Sequence, residues 1–184
     1  MAINFEGVVG RQMITSDAYD VGEITDIRYD PFEWNVVGLR FKTKRGKELA
    51  AGFGKANLLI LPPKFALNDV MIINTPLGSV KEMVIPDNDN ISSLSAVIGQ
   101  KVVTRDNLLV GNVVTVMVDT EAWKVNTFIV RLDKTAIEAM GMKKGLFAKI
   151  IVEIRTGLIL SSKDMVHLNE PMGGLRDNIT VIDS

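Results

Sequence analysis

This sequence of 184 residues contains no cysteine and only one histidine, His167. Without cysteine the chain cannot form a disulfide, a thiolate zinc site or a thiol nucleophile. A serine–histidine–aspartate triad would have to use His167, and a zinc site could draw on only one imidazole. We therefore predict a protein that is not an enzyme, with no catalytic residue, no metal site and no cofactor.

An excess of charge of one sign is also lacking, because 21 Lys and Arg residues balance 22 Asp and Glu residues to a formal charge of −1. Such a chain has no general field that would attract nucleic acid or an acidic membrane, so we do not expect nucleic acid as its main partner. The best apolar run, 108–118, is far shorter than the roughly 18 to 20 residues that span a bilayer. The N-terminal residues have no basic segment followed by an apolar core, as a secretory signal would. We expect a cytoplasmic protein with no direct membrane insertion.

What the sequence does contain is an internal repeat. Residues 9–41 align without a gap onto residues 98–130, at an offset of 89. A weaker similarity relates 81–84 to 163–166 at an offset of 82, which places His167 opposite Ile85. The eight identical pairs of the main alignment are Gly10/Gly99, Thr15/Thr104, Asp17/Asp106, Val21/Val110, Gly22/Gly111, Asp30/Asp119, Trp34/Trp123 and Val36/Val125.

The repeat predicts two domains. The first is 1–86 and the second is 96–184, and the segment 87–95 between them is a linker rich in turn-forming residues. Each repeat is large enough to fold alone.

Within each repeat the pattern is that of strands joined by tight turns. On the first long strand every second residue is apolar or Thr, and we predict that this face is core. The residues of this face are Thr25, Ile27 and Tyr29 in repeat one and Val114, Val116 and Val118 in repeat two. A short helix is predicted in repeat two, because Thr135 to Glu138 forms a capping-box pattern and Gly141 can end the helix.

The order of features in both repeats resembles the PRC-barrel domain family. Each repeat has an apolar residue and Gly, a Thr, a turn led by Asp, Val-Gly, an apolar strand ending in Asp, and then Trp-x-Val before another strand. The resemblance is best at 7–41 and 96–130, and it departs where Ala18-Tyr19 and Asn107-Leu108 occupy a turn that often carries Gly. It implies an all-β fold of two tandem small PRC-type β-barrels with at most one or two short helices.

The resemblance also implies a function. Archaeal members look most similar, and some are implied to act in cell division, linking FtsZ through its anchor SepF. The predicted function is thus a non-enzymatic adaptor that binds SepF, another division protein or a second copy of itself. A related barrel occurs in the ribosome-maturation factor of the RimM type, so the alternative is an RNA-binding or ribosome-assembly factor. Its contact would be the basic cluster Lys42, Lys44, Arg45 and Lys47.

A difference between the repeats predicts where a protein partner binds. On the face opposite the core, repeat one has Asp26, Arg28 and Arg40. The matched positions in repeat two are apolar or neutral, and an apolar outer face should be covered. The other barrel, the predicted helix that begins at Thr135, a second copy or a different protein could provide that cover. The predicted interface residues are Val113, Met117 and Ile129.

Other residues that could carry chemistry have simpler interpretations. Trp34 and Trp123 could stack on bases, but their identical placement in both repeats favours packing. Asp17 and Asp106 recur at turn positions and are expected to build those turns.

Overall fold

The computed structural model describes residues 1–44, 46, 58–60, 65–142 and 149–183. These residues form two curled sheets with only short helices, which confirms the predicted all-β fold of two small barrel-like halves. The chain divides into two compact units. The N-unit comprises Phe5–Asp30 and Val36–Ser93, and the C-unit comprises Met1–Asn4, Pro31–Asn35 and Leu94–Ser184. Most of the segment predicted as a linker therefore belongs to the N-unit.

Sixteen strands are present in the described residues, and most are short. The two longest, β3 and β11, are equivalent in the repeat. The strands are β1 (Ala2–Asn4), β2 (Gln12–Ile14), β3 (Asp20–Tyr29), β4 (Val36–Thr43), β5 (Leu58–Ile60), β6 (Phe65–Leu67), β7 (Met71–Ile73), β8 (Val84–Ile85), β9 (Ser92–Ser93), β10 (Lys101–Val103), β11 (Leu109–Asp119), β12 (Lys124–Leu132), β13 (Ile151–Arg155), β14 (Ile159–Ser161), β15 (Val166–Leu168) and β16 (Thr180–Asp183).

The helices of the described residues are all short, and none of them is long and apolar enough to cross a bilayer. The α-helices are α1 (Leu94–Val97), α2 (Lys134–Ala139) and α3 (Met172–Leu175). The 3₁₀ helices are Phe5–Gly7, Leu77–Met83, Thr156–Leu158 and Arg176–Asn178.

The two sheets have the same strand order. The N-unit sheet runs β6-β7-β2-β3-β4-β5-β8, with β9 added on β3. The C-unit sheet runs β14-β15-β10-β11-β12-β13-β16, with β1 added on β11. In each sheet one pair is parallel, β2 with β7 and β10 with β15, and the other pairs are antiparallel.

The predicted offset of 89 reappears in the backbone. In the first turn the amide of Thr15 donates to the carbonyl of Tyr19 at 2.9 Å, and in the second the amide of Thr104 donates to the carbonyl of Leu108 at 2.9 Å. The non-glycine residues with positive φ in the described chain also form two pairs at this offset, which means that the doubled sequence produces a doubled backbone. They are Ala18 with Asn107 and Trp34 with Trp123.

Gly22 and Gly111 are equivalent positions at which a neighbouring strand comes very close to the backbone. A Cβ on Gly22 would lie 2.8 Å from the carbonyl carbon of Lys42, and one on Gly111 would lie 2.9 Å from that of Arg131. No real Cβ comes so close to backbone, so this position of the long strand requires glycine.

The predicted alternation of the long strands was wrong at one position in each repeat. A β-bulge lies between Ile24 and Asp26 in repeat one and between Val113 and Thr115 in repeat two. The extra residue shifts the alternation, so Ile24 and Val113 enter the core while Val114 is 39% exposed. Beyond the bulge, the predicted core residues Ile27, Tyr29, Val116 and Val118 are fully buried.

The predicted helix exists as α2, but its cap is different. The N-cap is Asp133, whose carboxylate accepts a hydrogen bond from the amide of Thr135 at 2.9 Å. Thr135 therefore lies inside the helix. Gly141 follows it with a φ of +63°, as predicted for the residue that ends it.

The weaker similarity at an offset of 82 was wrong. Val166 pairs with Val102, whereas its structural counterpart Met71 pairs with Met13, so the late parts of the repeats match at an offset of 95. His167 consequently corresponds to Ile72 and not to Ile85. The sequence signal that reveals this match is Asn-x-Pro-x-Gly, at 74–78 and 169–173.

Candidate functional site

The predicted interface residues lie at the centre of the C-unit sheet. Val113 and Ile129 are only 3% and 6% exposed, because the bulge turns Val113 inward and the chain itself covers Ile129. Met117 is half-buried, and on β11 it lies opposite Asn4 of β1. Of the three, Met117 is the residue with surface left for another molecule, and a partner contact through this set stays a prediction.

The basic cluster of the alternative function is described only in part, since Arg45 and Lys47 lie outside the described residues. Lys44 forms an ion pair with the carboxylate of Asp20. Lys42 lies directly opposite Glu23 in the β3–β4 ladder. Both described lysines thus have an acidic neighbour, which reduces the local positive field that a phosphate backbone would need.

A polar cluster in the N-unit is the least expected feature of the structure. Asp26 and Arg28 lie on the face that the sequence assigned to solvent, yet they are only 3% and 7% exposed. Arg40 lies directly opposite Asp26 on β4. Charges are rarely buried unless they are paired, so the partners of these three side chains decide what the cluster does.

Asp87 supplies the main partner. Its Oδ1 lies 2.8 Å from an Nη of Arg28, and its Oδ2 accepts a hydrogen bond of 2.9 Å from Nε of Arg40 and a second, shorter one from an Nη of the same residue. Burial raises the pKa of the Asp87 carboxyl, but the hydrogen bond from Arg40 and the charges of both arginines outweigh it. The pKa of Asp87 therefore lies below its ordinary value. A carboxylate held ionised in this way is a poor proton acceptor.

The rest of the linker segment is tied to the same face. An Nη of Arg28 donates to the carbonyl of Asn88 at 3.1 Å, and Ser93 donates its hydroxyl to the carboxylate of Asp26. A cleft of about 230 Å³ opens beside Asp87 and is lined only by charged and polar residues of this cluster and of the linker. The cluster consequently fixes residues 87–93 on the outer face of the N-unit sheet. No sequence signal pointed to Asp87, because its partners Arg28 and Arg40 lie more than forty residues away.

Asp17 and Asp106 perform the turn-building role expected of them. The hydroxyl of Thr104 donates to Oδ1 of Asp106 at 2.5 Å, and the same oxygen accepts from the amide of Met172, at the start of α3. Asp17 accepts from the amide of Leu77 at 3.0 Å, at the start of the equivalent 3₁₀ helix. The hydrogen bond from the neighbouring Thr hydroxyl lowers the pKa of each aspartate. These carboxylates join two distant parts of each repeat.

The turn Pro31–Asn35 combines a packed tryptophan with an exposed phenylalanine. Trp34 is 8% exposed and meets the ring of Phe128 edge-on, with centroids 5.7 Å apart. Its carbonyl accepts a hydrogen bond of 2.8 Å from the amide of Val125. Phe32, two residues earlier, is 88% exposed. Trp34 is therefore a packing residue, as its placement in the repeat suggested, and it holds a turn that presents Phe32 outward.

Comparison with known proteins does not identify this chain, since no family model matches the sequence and a search of curated proteins found no match. The resemblance to the PRC-barrel family stays a prediction from the residues. Among the described residues, no group of three or more His, Asp or Glu side chains is placed to hold a metal ion.

Proposed function

We propose that this chain is a protein-binding adaptor of the PRC-barrel type, and that the Phe32 turn is its contact with a partner. The observation that supports this proposal is the 88% exposure of Phe32, the highest among the large apolar side chains of the described residues. Aromatic side chains are enriched at the centres of protein interfaces, where a few of them contribute most of the binding free energy.

The turn is also ordered before a partner arrives. The Trp34 ring packs on Phe128, and the Trp34 carbonyl accepts a hydrogen bond from the amide of Val125 on β12. A residue presented on a fixed turn loses little conformational entropy when it binds. Scattered exposed apolar residues are common on any protein, so the decisive comparison is between Phe32 and another exposed apolar residue of the C-unit.

The partner in this proposal is a protein of the archaeal division apparatus, either SepF or another component of the FtsZ system, and the adaptor acts in the cytoplasm. This part rests on the resemblance between both repeats and the PRC-barrel family. It is independent of the Phe32 turn, so the two parts can be tested separately.

The test titrates purified SepF and FtsZ against the wild-type chain and two variants, with calorimetry as the readout. We expect Phe32→Ala to weaken binding by about 30-fold, which corresponds to the loss of about 2 kcal/mol at an interface hot spot. Leu160→Ala is the matched control, because Leu160 is 71% exposed in the same unit and should leave affinity unchanged.

Two results would contradict the proposal in different ways. Absence of binding to both proteins would remove the role in division. Binding that survives Phe32→Ala at wild-type affinity would remove the Phe32 turn as the contact and leave the adaptor role with a different surface.

A further inference from the structure

The short first strand of each repeat pairs with the long strand of the other repeat. In the C-unit, Ile3 and Asn4 pair with Val118 and Met117 of β11. In the N-unit, Ser92 and Ser93 pair with Tyr29 and Arg28 of β3. Donors and acceptors are both related by the offset of 89, so acceptance of an added strand at this position is a property of the repeat.

The two donors have nothing in common at the level of side chains. One is Ile3-Asn4 and the other is Ser92-Ser93, yet both take the same register on equivalent strands. Recognition therefore depends on backbone hydrogen bonds, as it does when an extended segment adds to the edge of a sheet. The edge of β11 at Met117–Asp119 is thus an acceptor for an extended segment.

We propose that the β1 segment of another copy of the chain can replace the chain's own β1 on this acceptor. Two copies would then exchange their first strands and form a dimer. Exchange with a second copy restores, between the two chains, the backbone contacts that each β1 loses when it is released. These contacts include the pairing of Ala2 with Asp119 and the 2.9 Å hydrogen bond from the amide of Thr120 to the carbonyl of Met1. A foreign segment would leave the displaced β1 without its pairing, whereas exchange between identical chains is a low-cost route to a dimer.

Release of β1 is easier than release of its counterpart β9. The side chains of Ala2 and Asn4 are exposed and that of Ile3 is half-buried, so little apolar surface holds this strand. The strand β9 is held by the bond from Ser93 to buried Asp26, and the residue after it, Leu94, is fully buried, whereas Phe5, the equivalent residue after β1, is 9% exposed. Exchange is therefore expected at β1 and not at β9.

The test uses the absence of native cysteine. One preparation carries Asn4→Cys and a second carries Met117→Cys, and the two are mixed at increasing concentration before mild oxidation. We expect a mixed disulfide dimer, identified by mass spectrometry, at a yield about tenfold above a control mixture of Asn4→Cys with Leu160→Cys, because strand pairing raises the effective concentration of the two thiols. A yield equal to that of the control would overturn the proposal.

A second measurement asks whether the dimer requires release of β1 from its own chain. In the double variant Asn4→Cys/Met117→Cys, oxidation should close a disulfide within one chain and abolish the concentration-dependent dimer that light scattering detects in the wild type. A wild type that stays monomeric at millimolar concentration, a dimer that the disulfide leaves intact, or a double variant that does not close would each count against strand exchange.

Discussion

Replacement of Asp87 by alanine would leave the guanidinium of Arg28 buried without the carboxylate that it now contacts at 2.8 Å. The side chains of Arg28 and Asp87 are 9% and 15% exposed, so the arginine cannot regain full hydration when its partner is removed. Breaking a buried ion pair from one side costs about 3–5 kcal/mol. Asp26 lies on the same face and partly compensates the charge, so we expect Asp87→Ala to lower the free energy of unfolding by about 3 kcal/mol, the lower end of that range.

Two further variants separate the contributions to this cluster. Arg40 is 29% exposed and can turn toward water, so Arg40→Ala should cost only about 1 kcal/mol. Arg28→Met removes the buried cation itself. The loss of unfolding free energy in the double variant Arg28→Met/Asp87→Ala should therefore be clearly smaller than the sum of the losses in the two single variants. The assay is urea unfolding at pH 7, followed by the fluorescence of the two tryptophans. A cost below about 1 kcal/mol for Asp87→Ala, or strict additivity in the double variant, would refute the reasoning.

The same variant predicts a dependence on pH. Because the pKa of Asp87 is lowered in the folded state, its stabilising contribution is complete above the unfolded value of about 3.9 and is lost as the pH falls through the lower folded value. The other charged groups that face Asp87, which are Arg28, Arg40 and Asp89 of the same cleft and Asp26 opposite Arg40, are present in both proteins. The difference in stability between wild type and Asp87→Ala should thus be constant from pH 7 to about 5 and shrink below about 4. A difference that grows on acidification would contradict this account.

The remaining predictions concern backbone contact and core burial. Gly22→Ala and Gly111→Ala should each lower the free energy of unfolding by about 1–3 kcal/mol or more, because a methyl group at either position meets backbone. Gly78→Ala is the control: it adds a methyl group where nothing lies within 4 Å, so it should be tolerated. Thermal unfolding measures all three, and an equal effect at Gly78 would argue against the close approach. Ile129→Asp places a carboxylate at a site that is 6% exposed and should cost at least about 3 kcal/mol, while Leu160→Asp should change stability by less than about 0.5 kcal/mol. A folded Ile129→Asp variant of wild-type stability would instead place this side chain at an accessible surface.

The fold was predictable from the sequence to the level of class and local turns. The repeat at an offset of 89 predicted equivalent turns, and the paired positive φ values of Ala18 and Asn107 show how closely the backbone follows it. Such turns are encoded locally, because Thr15 and Tyr19 are hydrogen-bonded across only four residues. The late match at an offset of 95 has few identical pairs, Asp69 with Asp164 and the Asn, Pro and Gly of 74–78 with those of 169–173, and residues of these types are common in any turn.

The candidate site was less predictable. The sequence assigned Asp26 and Arg28 to a solvent-facing surface, which their residue types and the strand alternation both favour. Arg28 is covered by Asp87, which lies 59 residues beyond it in the chain and has no motif of its own. Asp26 is bonded by Ser93, which is comparably remote. In repeat two the positions matched to Asp26, Arg28 and Arg40 hold Thr115, Met117 and Ile129, so the repeat itself offered no second example from which to infer the ion pairs.

The sequence by itself determined the doubled all-β architecture, because turn residues, glycines at close approaches and apolar alternation act over a few residues and occur twice. Only the tertiary structure decided which strand of the chain adds to β3 and which adds to β11, and what covers the charged face of the N-unit. The physical reason is that an added strand is held by backbone hydrogen bonds, which leave no side-chain signature, and that an ion pair such as Asp87 with Arg28 specifies its partner only by position in space.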